Sequence, residues 1–232
     1  MMEFLENSYF LIAVTFAVYV IAQLAYRRTG LMLLNPILVS IVALIGFLIV
    51  TGVPYDRYSE GGRMIEFWLK PAVVALGVPL YRQLSAIRKQ LLPIIMAELA
   101  GCVIGIVTVV FFAQLFGATR EVIISLAAKS VTTPIAMEVT RSLGGIPSLT
   151  AAVVCAVGIF GGMSGFKVMK LTRVKSPIAQ GLSMGTAAHA VGTSIAMEKG
   201  SYHYGAWSSL GLTVNGLLTA LLTPTILALM GY

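Results

Sequence analysis

Lys129, Ser130, Thr132, Thr133 and Pro134 fall in a run from Ala127 to Glu138 that reads A-A-K-S-V-T-T-P-I-A-M-E. A cation, three hydroxyls and a helix-breaking proline can together hold a small anion. The lysine supplies charge, the hydroxyls donate, and a broken helix exposes unpaired backbone N–H groups. From Ala187 to Glu198 the chain reads A-A-H-A-V-G-T-S-I-A-M-E. The two frames share both leading alanines, the valine, the second threonine and the closing I-A-M-E. In the second copy Gly192 lets backbone come close, Thr193 and Ser194 supply hydroxyls, and His189 takes the place of Lys129. A histidine titrates near neutral pH and can carry a proton.

A lysine at membrane depth is costly and needs a partner, a wet cavity or a function. Lys129 can therefore contact an anionic ligand, or pair with Glu138 or Glu98. His189 can relay a proton or pack as a hydrogen-bonded histidine. Glu98 stands in the middle of a long apolar run and has the stronger claim to burial. Glu138 and Glu198 close the two copies, where a solvated mouth would also suit them. These three glutamates and His189 form the set for proton coupling or ion pairing. His203, beside Tyr202 and Tyr204, reads as interfacial. No serine–histidine–acid pattern, phosphate loop or metal-ligand spacing stands out. Cys102 and Cys155 sit in apolar segments as small packing residues. The expectation is no enzyme, no cofactor and no metal.

What must position these residues is set by the apolar runs around them. The chain has 232 residues, 58% hydrophobic and only 11% charged, far from a soluble average. Phe10 to Tyr26, Leu31 to Val50, Leu91 to Phe116, Leu149 to Phe166 and Leu210 to Met230 are each long enough, or nearly so, to cross ~30 Å of hydrocarbon. The cations collect in short loops: Arg27 and Arg28, then Arg82, Arg88 and Lys89, then Lys167, Lys170, Arg173 and Lys175. That placement orients helices, with basic loops in the cytoplasm, and implies no nucleic-acid partner for the net charge of +7. The acidic start, Glu3 and Glu6, lacks the basic opening of a signal peptide, so the first span is expected to be retained.

Charge then tests the odd segments. If both Glu121–Leu143 and Ser148–Phe166 cross, the cations of 167–175 land outside. If Glu121–Leu143 instead splits near Pro134, each half is about eleven residues and about 15 Å long, half a bilayer. The fold predicted is an all-α polytopic membrane protein, one integral membrane domain over 1–232, with about six full spans. Two broken or re-entrant helical hairpins, 121–143 and 178–200, enter from opposite faces and form an inverted repeat. The competing reading has each copy crossing fully as a kinked helix. It breaks the charge rule, which itself has exceptions.

Three stretches carry a resemblance through nearly the whole chain: L-K-P-A-V-V-A-L-G-V-P-L-Y from Leu69 to Tyr81, K-S-V-T-T-P-I-A-M-E from Lys129, and G-T-A-A-H-A-V-G-T from Gly185. In this order they resemble the LrgB/CidB family. Ala128 stands where the family often has proline, Ala188 where it often has serine, and Ile195 where a basic residue can follow. The resemblance implies one of two functions. Bacterial members are described as holin- or antiholin-like modulators of murein hydrolase activity and autolysis, acting with a small LrgA/CidA-type membrane partner. The plastid relative is a glycolate/glycerate translocator, and some bacterial members are linked to pyruvate or other small organic acids.

The paired polar segments favour the second branch at this stage. The expected function is a secondary transporter of small monocarboxylates or 2-hydroxy acids, proton-coupled and elevator-like, in the bacterial plasma (inner) membrane. Lys129, Ser130, Thr132, Thr133, Pro134, Gly192, Thr193 and Ser194 would hold a small organic anion, and His189 or a nearby glutamate would couple a proton. A homodimer in the lipid bilayer is expected. The alternative is a holin/antiholin-like regulator of murein hydrolase activity and cell lysis.

Overall fold

The structure, a computed structural model, describes residues 5–31, 34–68, 90–200 and 202–232, together with 71, 78, 81, 85 and 88. Most of the Leu69–Tyr81 motif, with Arg82 and Lys89, lies outside the described residues. Among the described residues there are nine helices and no strand: α1 Ser8–Thr29, α2 Pro36–Thr51, α3 Tyr55–Glu66, α4 Leu91–Leu115, α5 Arg120–Ala127, α6 Thr133–Ser142, α7 Pro147–Leu171, α8 Pro177–Gly200 and α9 Tyr202–Leu229. Among the described residues, four stretches are long and apolar enough to cross a membrane: α1, α4, α7 and His203–Leu229 of α9. The chain is an all-helical membrane protein, and it forms two compact units, Met1–Val74 and Ala75–Tyr232.

In the first unit, two asparagines set the helix starts. Asn7 accepts from the N–H groups of Tyr9 and Phe10, and Asn35 from those of Ile37 and Leu38, so each satisfies donors a helix start leaves orphaned. Pro36 then opens α2, where its missing N–H is no loss. The cap cuts the apolar run beginning at Leu31 to a helix of 16 residues, about 24 Å long, short of a full hydrocarbon crossing. Gly30 (φ 63°) and Gly52 (φ 71°) end the two helices in the left-handed conformation glycine adopts without strain. The polar α3 packs Gly61 against the Ser8 backbone, and its Tyr58 hydroxyl lies 3.1 Å from that of Thr15 on α1.

The second unit holds both polar repeats, and each contains a helix break. α5 stops at Ala127, the chain turns through Ala128–Val131, and α6 begins at Thr133 with Pro134 in its first turn. A proline restarts a helix there without losing a hydrogen bond. The two short helices fold back on each other. Thr150 on α7 places its hydroxyl 2.9 Å from both the Ser125 carbonyl and the Thr140 hydroxyl. Fifteen residues of unbroken helix would hold those two partners about 22 Å apart. The Ser125 hydroxyl also accepts from the Ile146 N–H at 2.7 Å.

α8 breaks at His189, whose φ of 42° and ψ of −132° are not helical. Its neighbours show the direction of each half. Before the break, Gly181 packs against Tyr204 and Trp207, and Gly185 against Ser208 and Leu212, so this half of α8 runs the same way as α9. After it the order reverses: Thr193 meets Ser208 and Met197 meets Gly205. Along α7 the same reversal appears, with Met184 at Gly165, His189 at Gly158 and Ile195 back at Gly162. Gly192 lies directly against the Met184 carbonyl, where a Cβ would collide. The tip therefore sits beside the middle of α7.

Two apolar clusters anchor the first pair. Cys102, Ile106 and Val110 of α4 pack with Ile123, Ile124 and Ala127 of α5 and Leu227 of α9. Ala128 and Val131 of the turn pack with Ala136 and Val139 of α6 and Val154 of α7.

Candidate functional site

The turn between α5 and α6 brings Lys129 and Ser130 to the wall of a cavity of about 590 Å³. The lining runs from Gln90 and Ser176, just before α4 and α8, inward to Gly105 and Lys129. Its walls are largely apolar, with Ile94, Ile104 and Leu182 prominent, so the few polar groups are conspicuous. Lys129 donates from Nζ to the Ser130 hydroxyl at 2.9 Å. Glu98, only 1% exposed, reaches the same cavity from α4. Its two carboxyl oxygens lie 2.8 Å and 2.7 Å from the Thr186 hydroxyl on α8. The acid and the base thus share one cavity, and among the described residues no ion pair joins them.

Asn215 on α9 ties the two broken segments together. Its side-chain N–H groups donate to the Ser130 carbonyl at 3.3 Å and to the Thr186 carbonyl at 3.1 Å. Asn215 Oδ1 and Thr132 Oγ1 are buried without a hydrogen-bond partner among the described residues. Next to Asn215 lies a small void of about 10 Å³ lined by Cys102, Ser130 and Thr219, room for roughly one water.

The remaining residues singled out by sequence sit elsewhere. Thr133 and Pro134 start α6. His189 does not line the cavity with Lys129; its Nε2 lies 2.8 Å from the Val154 carbonyl on α7, and it is buried. Thr193 donates to the His189 carbonyl at 2.9 Å and contacts the Ser208 hydroxyl at 2.9 Å, closing the second break with hydroxyls. Gly192 is buried at the fold-back, while Ser194 is exposed and donates to the Ala190 carbonyl. Glu138 pairs with Arg141 at 2.6 Å on an exposed face, not with Lys129. Such surface pairs contribute about 0–1 kcal/mol. Glu198 is exposed.

Sequence reading passed over three residues that do most of the holding: Thr150, Thr186 and Asn215. Asn215 had a signal, being an amide in an otherwise apolar final span. The two threonines had none, because a threonine in a membrane helix usually bonds its own helix backbone. Chemically, the arrangement can hold or move a proton and can lock two breaks to α4, α7 and α9. Among the described residues it aligns no nucleophile with a base.

The model of the LrgB-like family matches residues 15–229. "Uncharacterized protein YxaC" of Bacillus subtilis (strain 168) is 35% identical over 216 residues, covering 93% of this chain and 94% of that protein. "Antiholin-like protein LrgB" of Bacillus mycoides (strain KBAB4) is 34% identical over 226 residues, covering 97% and 98%. The protein of the same name from Bacillus cereus (strain B4264) aligns with the same identity and coverage. No solved structure matches. Matched almost from end to end by both the family model and these relatives, the chain belongs to the LrgB-like family.

Proposed function

We propose that the chain acts as an antiholin-like regulator of cell lysis, restraining murein hydrolase activity from the bacterial inner membrane. The observation that carries this reading is the 34% identity, over 226 residues and 97% of the chain, to a protein named antiholin-like LrgB. The same finding corrects the expectation of a proton-coupled, elevator-like monocarboxylate transporter. Relatives named antiholin-like align over nearly their whole length, so the carrier reading is withdrawn.

The proposal includes a topology. α5 with α6, and the two halves of α8, are re-entrant hairpins that enter from opposite faces, with α7 crossing between them as the centre of an inverted repeat. In support are the reversed contact order along α9, the single Thr150 hydroxyl shared by Ser125 and Thr140, and the basic loop following α7. Non-helical backbone at that depth is tolerated because it is buried in protein. Tips packed against α4, α7 and α9 suit a protein that occupies a holin-type partner without itself conducting. Its partners would be a second copy of the chain or a small LrgA/CidA-type membrane protein, and its role would be regulation, not catalysis.

The test is expression in a bacterium deleted for its own LrgB-type gene, with and without the small partner. Detergent-triggered lysis and a murein hydrolase zymogram are then read. Slower lysis with weaker hydrolase bands is expected. Unchanged lysis and bands, with the protein present in the membrane fraction, would reject the regulator.

A further inference from the structure

The Thr186 hydroxyl is crowded by acceptors. It lies 2.8 Å from Glu98 Oε1, 2.7 Å from Glu98 Oε2 and 2.8 Å from the Leu182 carbonyl one turn back on α8. A threonine hydroxyl has a single proton to donate. Were Glu98 ionised, that one proton would be divided among three oxygens. At least two close oxygen–oxygen contacts would then lack a proton of their own. One added proton on Glu98 cuts the shortfall from two contacts to one. The carboxyl donates to Thr186 Oγ1, and Thr186 donates to the Leu182 carbonyl.

The surroundings favour the same state. Glu98 is 1% exposed, and the ion pairs among the described residues lie elsewhere, between Arg57 and Glu6 or Glu60 and between Arg141 and Glu138. A carboxylate buried without a cation is strongly disfavoured. Among the described residues, the groups that face Glu98 are few. Cys102 follows one turn later on α4, α8 presents Thr186, and α9 presents Gly211, whose Cβ would stand 3.0 Å from Oε1. From the α5–α6 turn comes Lys129, across the cavity, with its hydrogen bond given to Ser130.

We propose that Glu98 is a proton-binding site whose neutral carboxyl latches α4 to the leading half of α8. The latch is closed while the proton is bound and is lost as pH rises. Losing the proton leaves the one Thr186 proton to serve both the carboxylate and the Leu182 carbonyl, and turns the nearest attraction toward Lys129. A proton thereby controls the hold on one broken segment, whatever the lytic role of the chain proves to be.

The test is infrared difference spectroscopy of the full chain in phosphatidylglycerol–phosphatidylcholine vesicles over stepped pH, with melting temperatures read alongside. In the unaltered protein, the carbonyl band of a protonated carboxyl should persist at neutral pH, where a solvated glutamate is ionised. Glu98→Gln should remove that band and flatten the fall in melting temperature that the unaltered protein shows as pH rises from the solvated glutamate's range, about 4.3, to the pH at which Glu98 loses its proton. Thr186→Val should shift the band, since the acceptor of the proton is gone, and this readout stands even if Glu98→Gln does not fold. A neutral-pH spectrum without the band would overturn the proposal, as would a band unmoved in Thr186→Val. A band that appears only in Lys129→Met would overturn it too, by revealing an ion pair.

Discussion

At the scale of single residues, a few polar side chains reach between elements and tie them together. Asn215 is the clearest case, since its amide bonds the Ser130 and Thr186 carbonyls on two separate breaks. Replacing it with leucine of similar size removes both donors and leaves two part-buried carbonyls short of a partner. Interhelical side-chain hydrogen bonds in membranes are worth roughly 0.6–2 kcal/mol. Asn215→Leu should therefore lower the melting temperature in detergent by a few degrees, whereas the exposed Ser194→Ala should leave it unchanged. The contrast bears on what was legible beforehand. Lys129 and Glu98 could be picked out because a charge in an apolar run is anomalous by type alone, and the structure places both on one cavity. Thr186 could not, because its importance lies in which side chain stands opposite it.

At the scale of elements, breaks and close approaches matter more than propensity. Gly185 on α8 lies against the Ser208 carbonyl and the Leu212 N–H, and both are backbone that cannot rotate away. Gly105 on α4 has nothing within 4 Å of where a Cβ would stand. Both would gain helix propensity from alanine, about 1 kcal/mol, so only the fit should separate them. Gly185→Ala should lose about 1–3 kcal/mol through overpacking, seen as a lower melting temperature and earlier proteolysis near the α8 break. Gly105→Ala should be neutral or mildly stabilising in the same assays. The apolar runs made the helical class and the long helices readable from composition. The start of α2 was misplaced, because the Asn35 cap and Pro36 act locally against a continuous apolar run. The directions of the α8 halves were not readable, since the same residues suit a kinked crossing and a fold-back.

At the scale of the whole molecule, charge placement and internal contacts bear on one question: which loops share a face of the membrane. The cations of 167–175 argued for a cytoplasmic loop after α7, but loop charge alone leaves exceptions. The contacts are an independent line, since α6 returns Thr140 to the level of Ser125 beside Thr150. A returning segment brings the loop at Gly117 and the loop at Gly144 to one face, with α7 carrying the chain to the other. A crossing segment would part those two loops instead. Single cysteines at Gly117, Gly144, Thr172 and Ser176, with native Cys102 and Cys155 replaced by alanine, distinguish the two. With a membrane-impermeant maleimide on intact cells, positions 117 and 144 should label together. Positions 172 and 176 should label only after the membrane is opened. Labelling of 117 and 144 from opposite sides would remove the re-entrant topology, and with it the argument that the two breaks approach each other from opposite faces.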